Sequence, residues 1–331
     1  MEFKIKNGPF IKSDNSTMKM MYNFIIALIP LILYSFYKNG IVVFIKENGN
    51  IINLFNPLII VIIAMLVCLF TEYIWYLITK KDKTLLYLIE ESYAIIPGII
   101  IGLIIPNNCP IFLVILASII ASISKMICGG LGKNILNPAV LGTFIVMVLF
   151  KSSMGDVLNF SLNFNMISII LIILSFIYLC INKVVKYRIT LSYIFSVFII
   201  VLIVSVSNNL NILNSTIDLL FPILFFVCFV ATDPITSPIT YDGQIIFGIV
   251  LGILTMLFTL VIPYNLGILI SILIMNILNL LINNISVKIR FNKVVRNIII
   301  IFLILTTILF GIFSSFNYKN INLKNNESVI I

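Results

Sequence analysis

No histidine occurs anywhere in the 331 residues, and tryptophan occurs once. The first absence removes the commonest metal ligand and the one side chain that ordinarily titrates near neutral pH. Charge is scarce as well: Asp and Glu number 12, and all charged residues make up 10% of the chain. A soluble domain carries about 25% charged residues, so a water-facing surface along most of this chain is excluded. The five cysteines (Cys68, Cys109, Cys128, Cys180 and Cys228) have no C-x-x-C spacing. They read as small apolar packing residues, and neither a metal nor a disulfide framework is expected.

Apolar residues fill the space instead, at 61% of the chain. A helix needs about 20 of them to cross a bilayer. Candidate spans are 20–37, 57–79, 85–105, 110–124, 138–150, 165–182, 190–206, 217–231, 244–262, 265–282 and 297–316. The fold class is therefore an all-α polytopic membrane protein of about 10–11 transmembrane helices, with two polar re-entrant or broken-helix loops. Of the 21 basic residues, 16 fall on the side that holds the N-terminus and 5 on the other. The positive-inside rule then predicts a cytoplasmic N-terminus and an outer C-terminus, in the cell inner or plasma membrane. The +9 net charge is a topology signal, lipid is the expected surroundings, and nucleic acid is not a partner. Residues 1–19 are polar and lack a short apolar region before a cleavage site, so they read as a cytoplasmic leader rather than a signal peptide.

One polar stretch between apolar runs organises the rest: KMICGGLGKNILNPAVLGT, Lys125–Thr143. Gly129, Gly130 and Gly132 allow positive φ and leave backbone N–H groups uncovered. Asn137 has the chemistry of a helix N-cap and Pro138 suits the first helical position. With Asn134 they make a loop aimed at a helix N-terminus, which favours an anionic or electron-rich ligand. A membrane hairpin with tight turns is the plain alternative.

The third span opens with Glu90 and Glu91 and contains Pro97-Gly98. Adjacent carboxylates near membrane depth are costly unless paired or hydrated, so they are candidates for an ion pathway. Two interfacial glutamates beside a kink are the alternative. A second polar insertion, ATDPITSPITYDG, runs from Ala231 to Gly243 after a short span interrupted by Pro222. Asp233-Pro234 and Ser237-Pro238 read as helix-start chemistry, and Thr232 and Asp233 join the candidate ligand set. Short, interrupted segments in both halves point to a central site. A solvated turn is the alternative for Asp233.

Together, GGLGKNILNPAVLG and TDPITSPIT resemble the family that contains the D subunit of the Rnf electron-transport complex and the B subunit of the sodium-translocating NADH:quinone reductase. The leader GPFIKSDNSTMKMMYNFIIALIP and the Glu91–Gly98 segment with Ile104-Ile105-Pro106 are similar to it too. The length favours the Rnf D side. The resemblance implies an Rnf-like transmembrane domain over 20–290 and an extra helix with a short outer tail over 291–331. It further implies electron transport coupled to ion translocation, the other Rnf-type subunits as partners, and a share in a translocase rather than a stand-alone enzyme. By resemblance, riboflavin would sit non-covalently near Asn134 and Asn137. Members also carry FMN on a threonine in a Ser-x-Ala-Thr sequence in the outer loop after the fifth span. Here that loop is KSSMGDVLNFSLNFN, Lys151–Asn165, which has no threonine, so covalent FMN is expected to be absent. Pro97, where the family tends to have threonine, and Asn107-Asn108 also depart from it. Two rival readings stand beside the redox one: a transporter or channel for a vitamin or urea-like solute on the same scaffold, and a structural subunit.

Overall fold

The computed structural model describes residues 17–47, 51–79, 88, 93–128, 134–150, 165–209, 223–290 and 293–327. Helices account for nearly all of them. α1 (Thr17–Ser35) continues through a π-helical turn (Phe36–Ile41) into α2 (Val42–Glu47). Then come α3 (Ile51–Ile78), α4 (Ile95–Ile104), α5 (Ile111–Ile127), α6 (Pro138–Leu149), α7 (Met166–Ile181) and α8 (Tyr187–Ser207). A π-helical segment (Phe226–Val230) precedes α9 (Tyr241–Thr259), α10 (Tyr264–Arg290) and α11 (Lys293–Glu327). Each expected span falls at least in part on a helical segment, and no strand occurs among the described residues. The chain is an all-α multi-pass membrane protein. Six helices are long and apolar enough to cross a bilayer, from Thr17–Lys46 to Val294–Ser315. Four more apolar helices, at 10–17 residues, are shorter than a full crossing.

Short helices of this kind need neighbours, because lipid cannot satisfy a backbone that stops inside the membrane. α4 shows how the neighbours are brought close. A Cβ on Gly98 would lie 2.6 Å from Met65 Cα, and one on Gly102 2.7 Å from Val61 Cγ2, so two glycines one turn apart seat α4 against α3. Small residues at such crossings are the usual means of packing helices in lipid. On the other side of the bundle the Tyr193 hydroxyl of α8 meets Thr255 Oγ1 of α9 at 3.0 Å. The π-helical segment Phe226–Val230 is buried throughout. Its Phe229 ring meets Phe24 of α1 edge-on, with centroids 6.2 Å apart. α1 is tied to α7 by the Tyr178 hydroxyl, which donates to Asn23 Oδ1 at 3.1 Å.

Candidate functional site

The segment before α6 ends as its sequence suggests. Asn137 adopts an extended backbone, and its Oδ1 accepts from Ala139 N at 3.1 Å and Val140 N at 3.3 Å, with Pro138 opening the helix. Its side-chain oxygen is thus committed to its own helix. Asn134 is placed differently. It is only 9% exposed, and its Oδ1 has no hydrogen-bond partner. A buried acceptor without a donor costs about 1–3 kcal/mol. Gly129, Gly130 and Gly132 lie outside the described residues.

In the second insertion Asp233 does not cap a long helix, contrary to the helix-start expectation. Its Oδ1 accepts from Ile235 N at 3.4 Å and its Oδ2 from Thr236 Oγ1 at 3.1 Å, closing a local turn. The helix begins further on, at Tyr241, where Thr240 Oγ1 accepts from Gly243 N. Pro234 and Pro238 shape the turn, and the hydroxyl takes the cap because it stands directly before the first helical residue. Thr232 is fully buried and donates to Cys228 O at 2.6 Å, a bond within its own segment that gives it a packing role.

The two insertions meet. One cavity of about 570 Å³ is lined by Asn134, Asn137 and Pro138 of the first, and by Asp233, Pro234, Ile235 and Ile239 of the second. α1 adds Met20, Met21 and Phe24, and the start of α4 adds Ile96, Pro97 and Ile100. That volume lies within the roughly 300–1,000 Å³ usual for small-molecule sites, and the mix of apolar walls with a few polar groups is also usual. Thr232 does not line it. Glu90 and Glu91, like the 151–164 stretch, lie outside the described residues.

Three charged residues at or behind this cavity stand outside the candidate set read from the sequence. Lys125 of α5 lines it, and its ammonium pairs with Glu72 Oε1 of α3 at 2.5 Å. In sequence Glu72 reads as an interfacial residue near Trp75 and Tyr76. A carboxylate in one apolar span and an ammonium in another are a signal of pairing, but 53 residues separate them and no local pattern joins them. Lys186, just before α8, reads in sequence only as a topology charge. Its Nζ donates to Pro234 O, Ser237 O and Ser237 Oγ at 3.0, 2.9 and 2.8 Å. In these connecting turns burial pushes the Lys186 ammonium down to about 8, while the nearby Asp233 works in the other direction. Asp233 keeps some exposed surface because it borders the cavity. Desolvation nevertheless raises its carboxyl above the usual range, against the hydrogen bonds from Ile235 and Thr236 and the charge of Lys186. Among the described residues no cluster of His, Cys, Asp and Glu could hold a metal ion.

The profile of the NQR2, RnfD, RnfE family matches residues 4–164 and 157–292, almost everything before α11. Similar proteins include the D subunit of the proton-translocating ferredoxin:NAD(+) oxidoreductase complex of Clostridium ljungdahlii, 28% identical over 153 residues, which cover 46% of this chain and 41% of that one. The D subunit of the ion-translocating oxidoreductase complex of Erwinia tasmaniensis is 28% identical over 155 residues, 46% of this chain and 39% of its own. The protein of the same description from Shewanella pealeana is 28% identical over 155 residues, with 46% and 40% covered. The matched stretch therefore spans well under half of each relative.

Proposed function

The chain belongs to the NQR2, RnfD, RnfE family, and from that premise we propose that it serves as a D-type membrane component of an Rnf-like ion-translocating electron-transport complex, with flavin held non-covalently in the cavity between the two insertions. The observation that carries this reading is the Asn134 oxygen, buried without a partner in the wall of a cavity the size of a small-molecule site. The imide N–H of an isoalloxazine ring is a donor of the kind that oxygen needs. Phe24, Phe229 and Ile100 offer apolar wall to the ring faces, and Asp233 borders the same space. When bound, a flavin would supply electron transfer. The chain's own contribution would be to bind it, orient it and shield it from water. The companion subunits of such a complex are its proposed partners.

The test is flavin content and affinity of the purified protein. Wild type should yield extractable riboflavin. Asn134→Leu removes the acceptor without touching the α6 cap, and should lower affinity about tenfold or more. Wild type that neither contains nor takes up flavin would end the flavin reading and turn attention to a small solute as the cavity's occupant.

A further inference from the structure

The turn that carries Asp233 into the cavity is held from outside the cavity. On one side α10 reaches it through one face: Asn279 Nδ2 donates to Thr236 O at 2.9 Å, Asn283 Oδ1 accepts from Ile239 N at 3.0 Å, and Ser286 meets Thr240 Oγ1. Gln244 Nε2 of α9 adds longer bonds to Pro238 O and Ile239 O at 3.4 and 3.3 Å, and Lys186 holds the middle of the turn. Lys186 places its ammonium among three oxygens of the turn, Pro234 O, Ser237 O and Ser237 Oγ. Three donors meeting three acceptors satisfy an ammonium fully. Ser237 Oγ in turn donates to Asp233 O at 2.6 Å, so the contact runs on to the backbone of the cavity residue itself. Lys186 does not line the cavity; Pro234, Ile235 and Asp233, which it holds through this turn, do.

We propose that Lys186 is the positioning residue of the ligand cavity: it pins the Asp233–Pro238 turn to the start of α8 and so sets the shape of the cavity wall without touching the ligand. The role of that wall in holding a flavin rests on the reading above, but the pin itself does not. Charge-assisted bonds to backbone carbonyls are stronger than neutral ones, and a turn without repeating structure depends on such bonds for order. Loss of Lys186 therefore frees the turn locally, while α8 and α9 keep their mutual packing through Tyr193 and Thr255. The arrangement ties the cavity to the junction between α7 and α8.

Hydrogen exchange of the purified full-length chain, read by mass spectrometry with and without riboflavin, tests this directly. In Lys186→Met, amides of 233–240 should exchange at least about tenfold faster than in wild type, while those in the middle of α8 and α9 stay unchanged. Lys186→Arg should keep most of the protection, since it retains the charge and several donors. Lys183→Met, at an exposed lysine in the same connection, should behave as wild type. Should the methionine variant not be recovered folded, Lys186→Gln removes the charge and one donor and should shift exchange in the same direction. Unchanged exchange of 233–240 in the neutral variants overturns the proposal, and so does a uniform rise along the whole chain, which would mark Lys186 as a general stabiliser. Riboflavin affinity in Lys186→Met should fall about tenfold; affinity equal to wild type with a loosened turn overturns the role in the cavity wall. Wild type that binds no riboflavin counts against the flavin reading alone, because the exchange comparison decides the pin without it.

Discussion

Glu72 of α3 and Lys125 of α5 face each other at 2.5 Å, with side chains 1% and 6% exposed. Both charges are buried, so each needs compensation that water cannot give. Removing one partner of a buried pair typically costs about 3–5 kcal/mol, whereas replacing both by neutral groups is often tolerated. Glu72→Gln and Lys125→Gln should therefore each lower the thermal midpoint and yield of detergent-purified protein sharply. The double variant should recover most of the loss. Losses that simply add in the double variant would show that the two residues act separately.

The two asparagines of the first insertion should part company. Asn137→Ala removes the cap of α6 and should cost about 1 kcal/mol of stability with or without ligand. Asn134→Ala deletes an oxygen that has no partner in the ligand-free chain. It should leave that form no less stable, and lower only the additional stability conferred by riboflavin. Thermal unfolding of both variants, with and without riboflavin, checks the contrast.

Covalent flavin should be absent. In the presence of a flavin transferase, a denaturing gel should show no fluorescent band at the mass of this chain, because the Lys151–Asn165 loop offers no threonine. A fluorescent band would require an attachment residue other than the one the family resemblance implies.

Asp233 sets a pH dependence with a definite sign. Its carboxyl is raised in the folded state, chiefly by desolvation, so the folded chain holds that proton more tightly than the unfolded chain does. The stability this contributes is complete below the unfolded pKa of about 3.9, and is lost as pH rises through the folded value. Asp233→Asn has no such loss. The variant should therefore gain stability relative to wild type as pH rises from about 4 toward neutrality. Midpoints measured across that range decide it. In the reconstituted complex, wild-type electron transfer with Asp233→Asn would reduce Asp233 to a turn residue.

Substitution at Gly98 should damage assembly. A Cβ there would come within 2.6–2.8 Å of backbone atoms of Met65 and Ala64, which cannot swing aside. Gly98→Val should separate α4 from α3 and cut the yield of monodisperse protein, while Gly311→Val should cut it less. At Gly311 the nearest atoms all belong to the Ile203 side chain, Cδ1 at 2.7 Å and Cβ at 3.2 Å, with no backbone atom among them, so the damage there should be smaller.

The spans are legible in the sequence because a long apolar run has one sensible reading in a protein this poor in charge. Asn137 is legible because a cap is a local event, settled by the residues that follow it. Asp233 can be located but not assigned: Asp-Pro is compatible with a helix start and with a closed turn, and only the placement of Thr240 before Tyr241 separates them. Lys125 with Glu72, and Lys186 with the 234–237 turn, are not legible at all. Each joins residues about 50 apart in sequence, and a lysine at the end of a span looks the same whether it meets headgroups, a carboxylate or a ring of carbonyls.

The cavity draws its walls from Thr17 at one end of the chain to Ile239 far along it. During synthesis its first wall enters the bilayer long before its last one leaves the ribosome. The cavity therefore has both of its walls only once the segment that carries Asp233 has been inserted. An occupant that touched both walls would fasten the first-made part of the bundle to the late-made part, and its supply would bear on how much finished protein persists.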